Sequence, residues 1–131
     1  MSEARYLLVP IEGPLQILRP GTESYDTLNK AVGGYIECVP LKVNEVSLWL
    51  HEEGKIIGLP HNPRAQLLWE HSYGPSDVIV GPAVLTGGVD DEGETLGLTL
   101  SEMMALAGIT LQEPIGAQAY ADLLAEFDKE S

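Results

Sequence analysis

Glycine and proline residues divide this sequence into short apolar runs, and their spacing constrains the fold more than any other feature. The 131 residues include 14 glycines and 9 prolines. Because glycine and proline both interrupt regular helices and strands, the apolar runs between them have the length of strands or short helices. The chain is therefore expected to fold into many short elements.

Six of these runs are predicted to be β-strands. Trp49 and Ile57 fall on two strands that a turn containing Gly54 would join, and both side chains are expected to face the core. Gly81 and Pro82 interrupt the last run, which suggests a bulge or a sheet edge there. The first run, RYLLVP, is the other candidate for an edge strand. The predicted strands lie in residues 5–13, 14–21, 35–41, 45–60 (two strands) and 76–88.

Four helices are predicted from capping signals and apolar spacing. Asn62 is a favourable N-cap with Pro63 at the first helical position, and Thr99 forms a capping box with Glu102. Strands that follow one another without regular crossover helices favour an α+β fold with a mostly antiparallel or mixed sheet, three to four short helices and a C-terminal helix. The predicted helices lie in residues 22–34, 62–71, 99–108 and 113–131.

The length of the chain favours one domain over residues 1–131, since two separate cores would each be marginal. No run of about 18 apolar residues occurs, and Pro10 and Glu12 interrupt the N-terminal apolar run before it reaches signal-peptide length. We therefore expect a soluble, intracellular protein without a membrane partner. Cys38 is the only cysteine, which excludes an internal disulfide and a cysteine cluster for a metal.

Acidic residues dominate the second half of the sequence. The net charge is −13, and residues 70–131 carry twelve acidic side chains against one basic, whereas residues 1–69 carry eight against six. Such a charge opposes binding to nucleic acid or to an anionic membrane. The acidic half serves either solubility or contact with a cationic protein. Its densest cluster, the predicted partner-binding surface, comprises Asp90, Asp91, Glu92 and Glu94.

The common motifs of catalysis and cofactor binding are missing from the sequence. It contains no Walker loop, dinucleotide-binding glycine motif, zinc-protease motif or nucleophile elbow. His51, His61 and His71 are spaced by ten residues, which matches no recognised metal-ligand pattern. We predict no metal, no cofactor and a non-enzymatic function. An enzyme acting through His61 with Glu37 or Glu53 is the remaining alternative.

Basic and polar residues concentrate just before a predicted helix. Lys55, His61, Asn62 and Arg64 lie close to its N-terminus, where the helix dipole favours an anion. Tyr35 or Trp49 would supply a ring that stacks on a nucleotide base. In the alternative interpretation, Asn62 only caps its own helix and Arg64 pairs with a neighbouring carboxylate.

Three segments resemble a known protein family. VGGYIECVPL, HEEGKIIGLPHNPRAQLL and DVIVGPAVLTG, within residues 28–87, are similar to the family catalogued as domain of unknown function 3846, found in phages, plasmids and actinobacteria. His51 stands where that family more often has asparagine. The resemblance implies a phage or mobile-element origin and carries no assigned activity. The matching positions are Gly33, Gly34, Tyr35, Glu37, Glu53, Gly54, Lys55, Leu59, Pro60, Asn62, Ala65, Asp77 and Gly81.

A small acidic accessory protein of phage type is the function we expect. It would bind and modulate a host protein in the host cytoplasm, for host takeover or counter-defence. Imitation of DNA is a special case that requires rows of carboxylates with phosphate-like spacing. The alternative is a binder of a nucleotide-like anion through Lys55, Asn62 and Arg64. A homodimer formed through sheet edges is left open.

Overall fold

An antiparallel sheet of short strands forms the centre of the protein. The computed structural model describes residues 4–20, 24–42, 46–110 and 125. The strands of this part of the chain are β1 (Tyr6–Val9), β2 (Gln16–Leu18), β3 (Ile36–Pro40), β4 (Ser47–His51) and β5 (Ala83–Thr86). Its helices are α1 (Ser24–Val32), α2 (Pro63–Tyr73) and α3 (Leu100–Thr110). The spatial order is β2-β1-β5-β4-β3, and each pairing is antiparallel. The α+β class is therefore confirmed.

Helices cover both faces of this sheet, and the alternation of side chains along each strand decides what each face buries. Leu7, Leu48 and Leu85 lie side by side on one face, in register across three strands. They belong to the larger core, which includes buried residues of α2 and α3. Tyr6 and Val84 face the other way and pack against α1 in a second, smaller core.

A glycine pair ends α1 and allows β4 to approach it. Gly33 has a φ of +87°, and the N–H groups of Gly33 and Gly34 both donate to the carbonyl oxygen of Asn29, at 2.9 and 3.0 Å. A Cβ atom on Gly34 would lie 2.5 Å from Nε2 of His51. The pair therefore fixes the end of the helix and makes room for the imidazole ring at the end of β4.

The prediction of a strand after residue 55 is wrong. Residues 52–58 form consecutive turns, in which the N–H of Ile57 donates to the carbonyl oxygen of Glu53 at 3.0 Å. Ile57 is 55% exposed and does not face the core. Because β4 already pairs with β3 on one side and with β5 on the other, it has no free edge at which a following strand could form a hairpin with it. Trp49 is partly buried against the smaller core, as expected.

The predicted sheet edges are also wrong. The strand that follows Gly81 and Pro82 is β5, which is central, and β1 lies between β2 and β5. Gly81 marks a close approach instead, because its φ is +78° and a Cβ there would lie 2.7 Å from Cδ1 of Leu59. Among the described strands, β2 and β3 form the edges.

The predicted helix caps are confirmed. In the capping box of α3, the N–H of Glu102 donates to Oγ1 of Thr99 at 3.1 Å, and the N–H of Thr99 donates to Oε1 of Glu102 at 2.8 Å. The helix continues past Gly108 to Thr110. The predicted helix over 113–131 lies outside the described residues, apart from Ala125. No helix in the described ranges has the length and apolar character needed to cross a bilayer.

Candidate functional site

Asn62, one of the predicted ligand-binding residues, is fully buried where the chain enters α2. Its side-chain oxygen accepts the N–H of Ala65 at 3.0 Å, which is the predicted helix cap. Its Nδ2 atom donates to the carbonyl oxygens of Val9, at 3.0 Å, and Gly81, at 2.9 Å. Both amide hydrogens are thus used within the protein, where they join the end of β1 to the start of α2 and the approach to β5.

The other predicted ligand residues do not meet Asn62 at one accessible place. Arg64 is fully buried and donates to the carbonyl oxygen of Pro10 at 3.3 Å. His61, Lys55 and Tyr35 are exposed. Two of the five predicted side chains therefore lie inside the protein and three lie at its surface. Binding of an anion by this group stays a prediction.

The predicted acidic cluster lies on a loop beyond the C-terminal end of β5. Oδ1 of Asp90 accepts the N–H groups of Glu92, at 2.8 Å, and Glu94, at 3.0 Å. These bonds close the loop. Asp91, Glu92 and Glu94 are exposed. Asp90 therefore stabilises the loop, and the exposed carboxylates of Asp91, Glu92 and Glu94 make the surface of the loop negative.

A cavity of about 370 Å³ lies near the opposite end of β5. It opens between the β3–β4 pair, α2, the turns at 52–56 and the segment 77–80. We call it the cleft. Its polar lining includes Glu37, His51 and Glu52, and Lys55 and Asp77 also line it. Apolar lining comes from Val39, Leu50, Trp69, Ile79 and Val80.

The pairing of β3 with β4 and the contact of two aromatic rings on α2 position the side chains that line the cleft. Glu37 pairs with Leu50 across β3 and β4, so both side chains leave the sheet on the face that α2 covers. Trp69 lies on α2, with its ring 4.6 Å from the ring of Tyr73 and its Nε1 donating to Oγ of Ser76 at 3.2 Å. The lining residues on β3, β4 and α2 thus belong to elements that also pack in the larger core.

An ion pair crosses the rim of the cleft. Nζ of Lys55 donates to Oδ1 of Asp77, which ties the turns after β4 to the segment before β5. The hydrogen bond from Lys55 and a second one from the backbone N–H of Val78 hold the pKa of Asp77 below its ordinary value of 3.8. Since Lys55 and Asp77 compensate each other, Glu37 and Glu52 leave the cleft with an excess of negative charge.

Exposed apolar side chains surround this charge. Ile56 is 83% exposed and Val78 is 55% exposed, and both line the cleft. Tyr35 is 65% exposed, and its carbonyl oxygen accepts the N–H of Glu52 at 2.9 Å, which places it beside the rim. Apolar groups gathered at one place on a surface commonly mark a site where another molecule binds.

The three histidines do not gather into a metal site. Within the described ranges, no group of three histidine, cysteine, aspartate or glutamate side chains is placed to hold a metal ion. Nδ1 of His51 accepts the N–H of Glu53 at 3.0 Å, and Nε2 of His61 lies 3.3 Å from Oε1 of Gln66. Both rings thus have local protein partners.

The comparison with protein families decides the classification. A family model described as Domain of unknown function (DUF3846) matches residues 5–108. The chain belongs to this family. The match confirms the resemblance and extends it in both directions beyond residues 28–87, so that all five described strands of this DUF3846 domain lie inside it. No curated protein and no solved structure matches the chain.

Sequence reasoning missed the cleft as the accessible site of the DUF3846 domain. Neither Trp69 nor Glu52 is among the residues predicted to bind a ligand or a partner, yet both line the cleft. The reason is that three separate segments build the cleft, and pairing across the sheet brings them together. One signal was present: Glu37, Gly54, Lys55 and Asp77 all belong to the motifs that carried the family resemblance, and all four line the cleft. Those four positions are the part of the resemblance that points to this surface.

Proposed function

We propose that this DUF3846 protein is a non-enzymatic accessory protein of phage type that binds and modulates a protein in the host cytoplasm. Host takeover or counter-defence would be its purpose. The cleft carries the proposal, because it combines a cavity, an excess of negative charge and an exposed apolar rim. Binding sites typically are concave and mostly apolar with a few placed polar groups.

Electrostatics favours a cationic partner. The chain has a net charge of −13, and exposed carboxylates occur both at the cleft and on the loop with Asp91 and Glu92. Complementary charge of this kind accelerates encounter with a basic protein and disfavours acidic competitors.

The polar groups of the cleft support binding more than catalysis. Lys55 and Asp77 are engaged with each other, and Nδ1 of His51 accepts a backbone N–H. A catalytic acid or base would instead need a pKa matched to its task and access to substrate. The described carboxylates of the cleft and of the acidic loop flank opposite ends of β5, which argues against the continuous row of charge that imitation of DNA requires.

Capture from host lysate at rising salt tests the proposal. The immobilised protein is incubated with lysate of an actinobacterial host, and each retained protein is purified and its Kd measured from about 50 mM to about 500 mM salt. We expect a basic partner whose affinity falls by at least about tenfold over this range, because salt screens interactions between exposed charges.

A variant separates charge from other causes. Asp91→Asn combined with Glu92→Gln removes two exposed charges from the acidic loop, and it should weaken the encounter without unfolding the protein. If the lysate yields no partner, or if the partner binds equally well at both salt concentrations, the proposal is wrong.

A further inference from the structure

The outer edge of β3 carries open backbone groups beside the cleft. The N–H of Glu52 donates to the carbonyl oxygen of Tyr35, and the N–H of Leu41 donates to that of Val46. In an antiparallel pair these bonds occur at every second residue. The N–H and C=O groups of Ile36 and Cys38 therefore point away from β4, and the described part of the chain supplies no hydrogen-bond partner for them.

The length of this open edge is limited. Pro40 has no N–H, and its carbonyl oxygen accepts the hydroxyl of Tyr73. The edge therefore offers the four groups of Ile36 and Cys38, which suits a short extended segment. Such addition of a strand to an exposed edge is a common way for one protein to bind another.

Side chains of β3 connect the edge to the cleft. Glu37 lies between Ile36 and Cys38 on the strand, and its side chain leaves the sheet toward the cavity. A residue of an added strand that lies opposite Glu37 would send its own side chain to the same face. That side chain would enter the cleft, whose volume of about 370 Å³ lies near the small end of ligand pockets.

The lining selects the chemistry of the entering side chain. Apolar walls from Leu50 and Trp69 suit an aliphatic stem, and the indole face attracts a cation. Glu37 and Glu52 supply the negative charge for its head group. Arginine and lysine combine a long apolar stem with a cationic end, and arginine also suits the carboxylate and the aromatic ring by its planar shape.

We propose that a basic, extended segment of the partner protein adds to the outer edge of β3 as a further strand and inserts an arginine or lysine side chain into the cleft. This inference rests on the proposed function and specifies its contact. Tyr35, two residues before Glu37, lies on the same face of the strand, and Ile56 lines the cleft; both then provide apolar contact for residues of the segment two positions from the inserted one.

A defined peptide tests the contact without the native partner. The probe is acetyl-Thr-Val-Arg-Val-Thr-amide, added to the full chain labelled with ¹⁵N. Its arginine lies opposite Glu37 in the proposed register, so its two valines pair with Ile36 and Cys38. We expect shifts at the indole N–H of Trp69 and slower hydrogen exchange at the amides of Ile36 and Cys38, because strand pairing protects these two N–H groups.

Two modified peptides separate the side-chain contact from the backbone contact. Citrulline in place of arginine keeps the shape of the side chain and removes its charge, and we expect the citrulline peptide to bind about tenfold or more weakly. The original peptide should lose affinity by a similar factor when the protein carries Glu37→Gln. N-methylation of both valines removes the strand donors without changing the protein, and it should abolish the protection of Ile36 and Cys38. Glu12→Gln makes the same change of charge at an exposed position between β1 and β2, and it should bind the peptide within about twofold of the original chain.

Any of four results would overturn the inference. N-acetyl-arginine amide that binds as tightly as the pentapeptide would indicate a pocket for a small cation. Shifts confined to the loop with Asp91 and Glu92 would place the contact there, and unchanged affinity of the N-methylated peptide would exclude strand addition. If the peptide fails while a host protein still binds in a salt-dependent manner, only this inference is wrong. If the peptide binds and the lysate yields no partner, the proposed function is wrong and the chemistry of the cleft stands.

Discussion

Two polar residues show how one side chain can organise distant parts of this protein. Asn62 uses its amide inside the core to join β1, the approach to β5 and α2. Lys55 lies at the surface, where its ion pair with Asp77 connects the two segments at the rim of the cleft. The buried residue thus connects elements of the fold, whereas the exposed pair lies at the surface of the cleft.

Replacing Asn62 with alanine should destabilise the protein strongly. The substitution removes a helix cap and leaves the buried carbonyl oxygens of Val9 and Gly81 without their donor, so we expect a loss of roughly 3–5 kcal/mol in the free energy of unfolding. Urea denaturation followed by circular dichroism measures it. His71→Ala, at an exposed position of the same helix, is the control and should change stability by less than about 0.5 kcal/mol. A similarly small effect of both substitutions would contradict the role assigned to the amide.

Replacing Lys55 with methionine should raise the pKa of Asp77 toward 3.8, because the hydrogen bond that lowers it is lost. Carboxyl ¹³C shifts followed from pH 2 to pH 6 measure the change. Since the folded-state pKa is depressed, the pair stabilises the fold above the unfolded pKa, and this contribution disappears as the pH falls through the folded pKa. Both groups are largely exposed, so the stability involved is below about 1 kcal/mol. Lys42→Met should leave the Asp77 titration unchanged, since Lys42 lies over the ring of Tyr73.

At the scale of elements, close backbone contacts hold the loop after β5 against the start of the sheet. The N–H of Leu98 donates to the carbonyl oxygen of Arg5 at 2.8 Å. A Cβ on Gly97 would lie 2.7 Å from the backbone nitrogen of Arg5 and 2.9 Å from Cα of Ala4. The absence of a side chain at this glycine therefore allows the loop to lie against the segment that leads into β1.

Two glycine-to-alanine substitutions should have opposite effects. Gly97→Ala forces backbone atoms apart and should cost about 1–3 kcal/mol. Gly108→Ala lies in α3, where no atom of the described residues other than the helix's own nearby backbone comes within 4 Å of the new Cβ. It should stabilise the protein by up to about 1 kcal/mol because alanine favours a helix more than glycine does. Thermal unfolding of both variants measures the difference. Equal shifts in the same direction would show that backbone freedom, and not contact, governs both positions.

The sequence predicts the helices of this protein better than it predicts the arrangement of its strands. Caps act over three or four residues, so Asn62 and Thr99 mark the starts of α2 and α3 without reference to the rest of the chain. Strand order depends on pairing between distant segments. The interruption at Gly81 resembles an edge in the sequence, although the strand after it is central.

The candidate site could be predicted only in part for the same reason. Lys55 drew attention because basic residues are rare here, but its partner Asp77 lies 22 positions away in the sequence. Glu37 and Trp69 reach the same cleft from an edge strand and from a helix. Asn62 and Arg64, which looked like ligand residues, lie between the cleft residues Ile56 and Trp69 in the sequence, yet they are buried in the fold.

At the scale of the whole molecule, the net charge of −13 opposes compaction. Salt screens this repulsion, so raising sodium chloride from about 20 mM to about 300 mM should increase the melting temperature by several degrees. Differential scanning calorimetry measures the change. The variant Asp91→Asn with Glu92→Gln carries two fewer negative charges, and its melting temperature should rise less with salt. An equal or larger rise in that variant would assign the effect to something other than charge repulsion.

The central position of β5 has a consequence for how the protein is made. β5 is the last of the described strands to be synthesised, yet it joins the β1–β2 pair to the β3–β4 pair. In a nascent chain that ends before Ala83, the strands form only two separate pairs, and an isolated hairpin is marginal in water. The sheet therefore closes only after most of the domain has left the ribosome, and no N-terminal fragment that lacks β5 should acquire the fold.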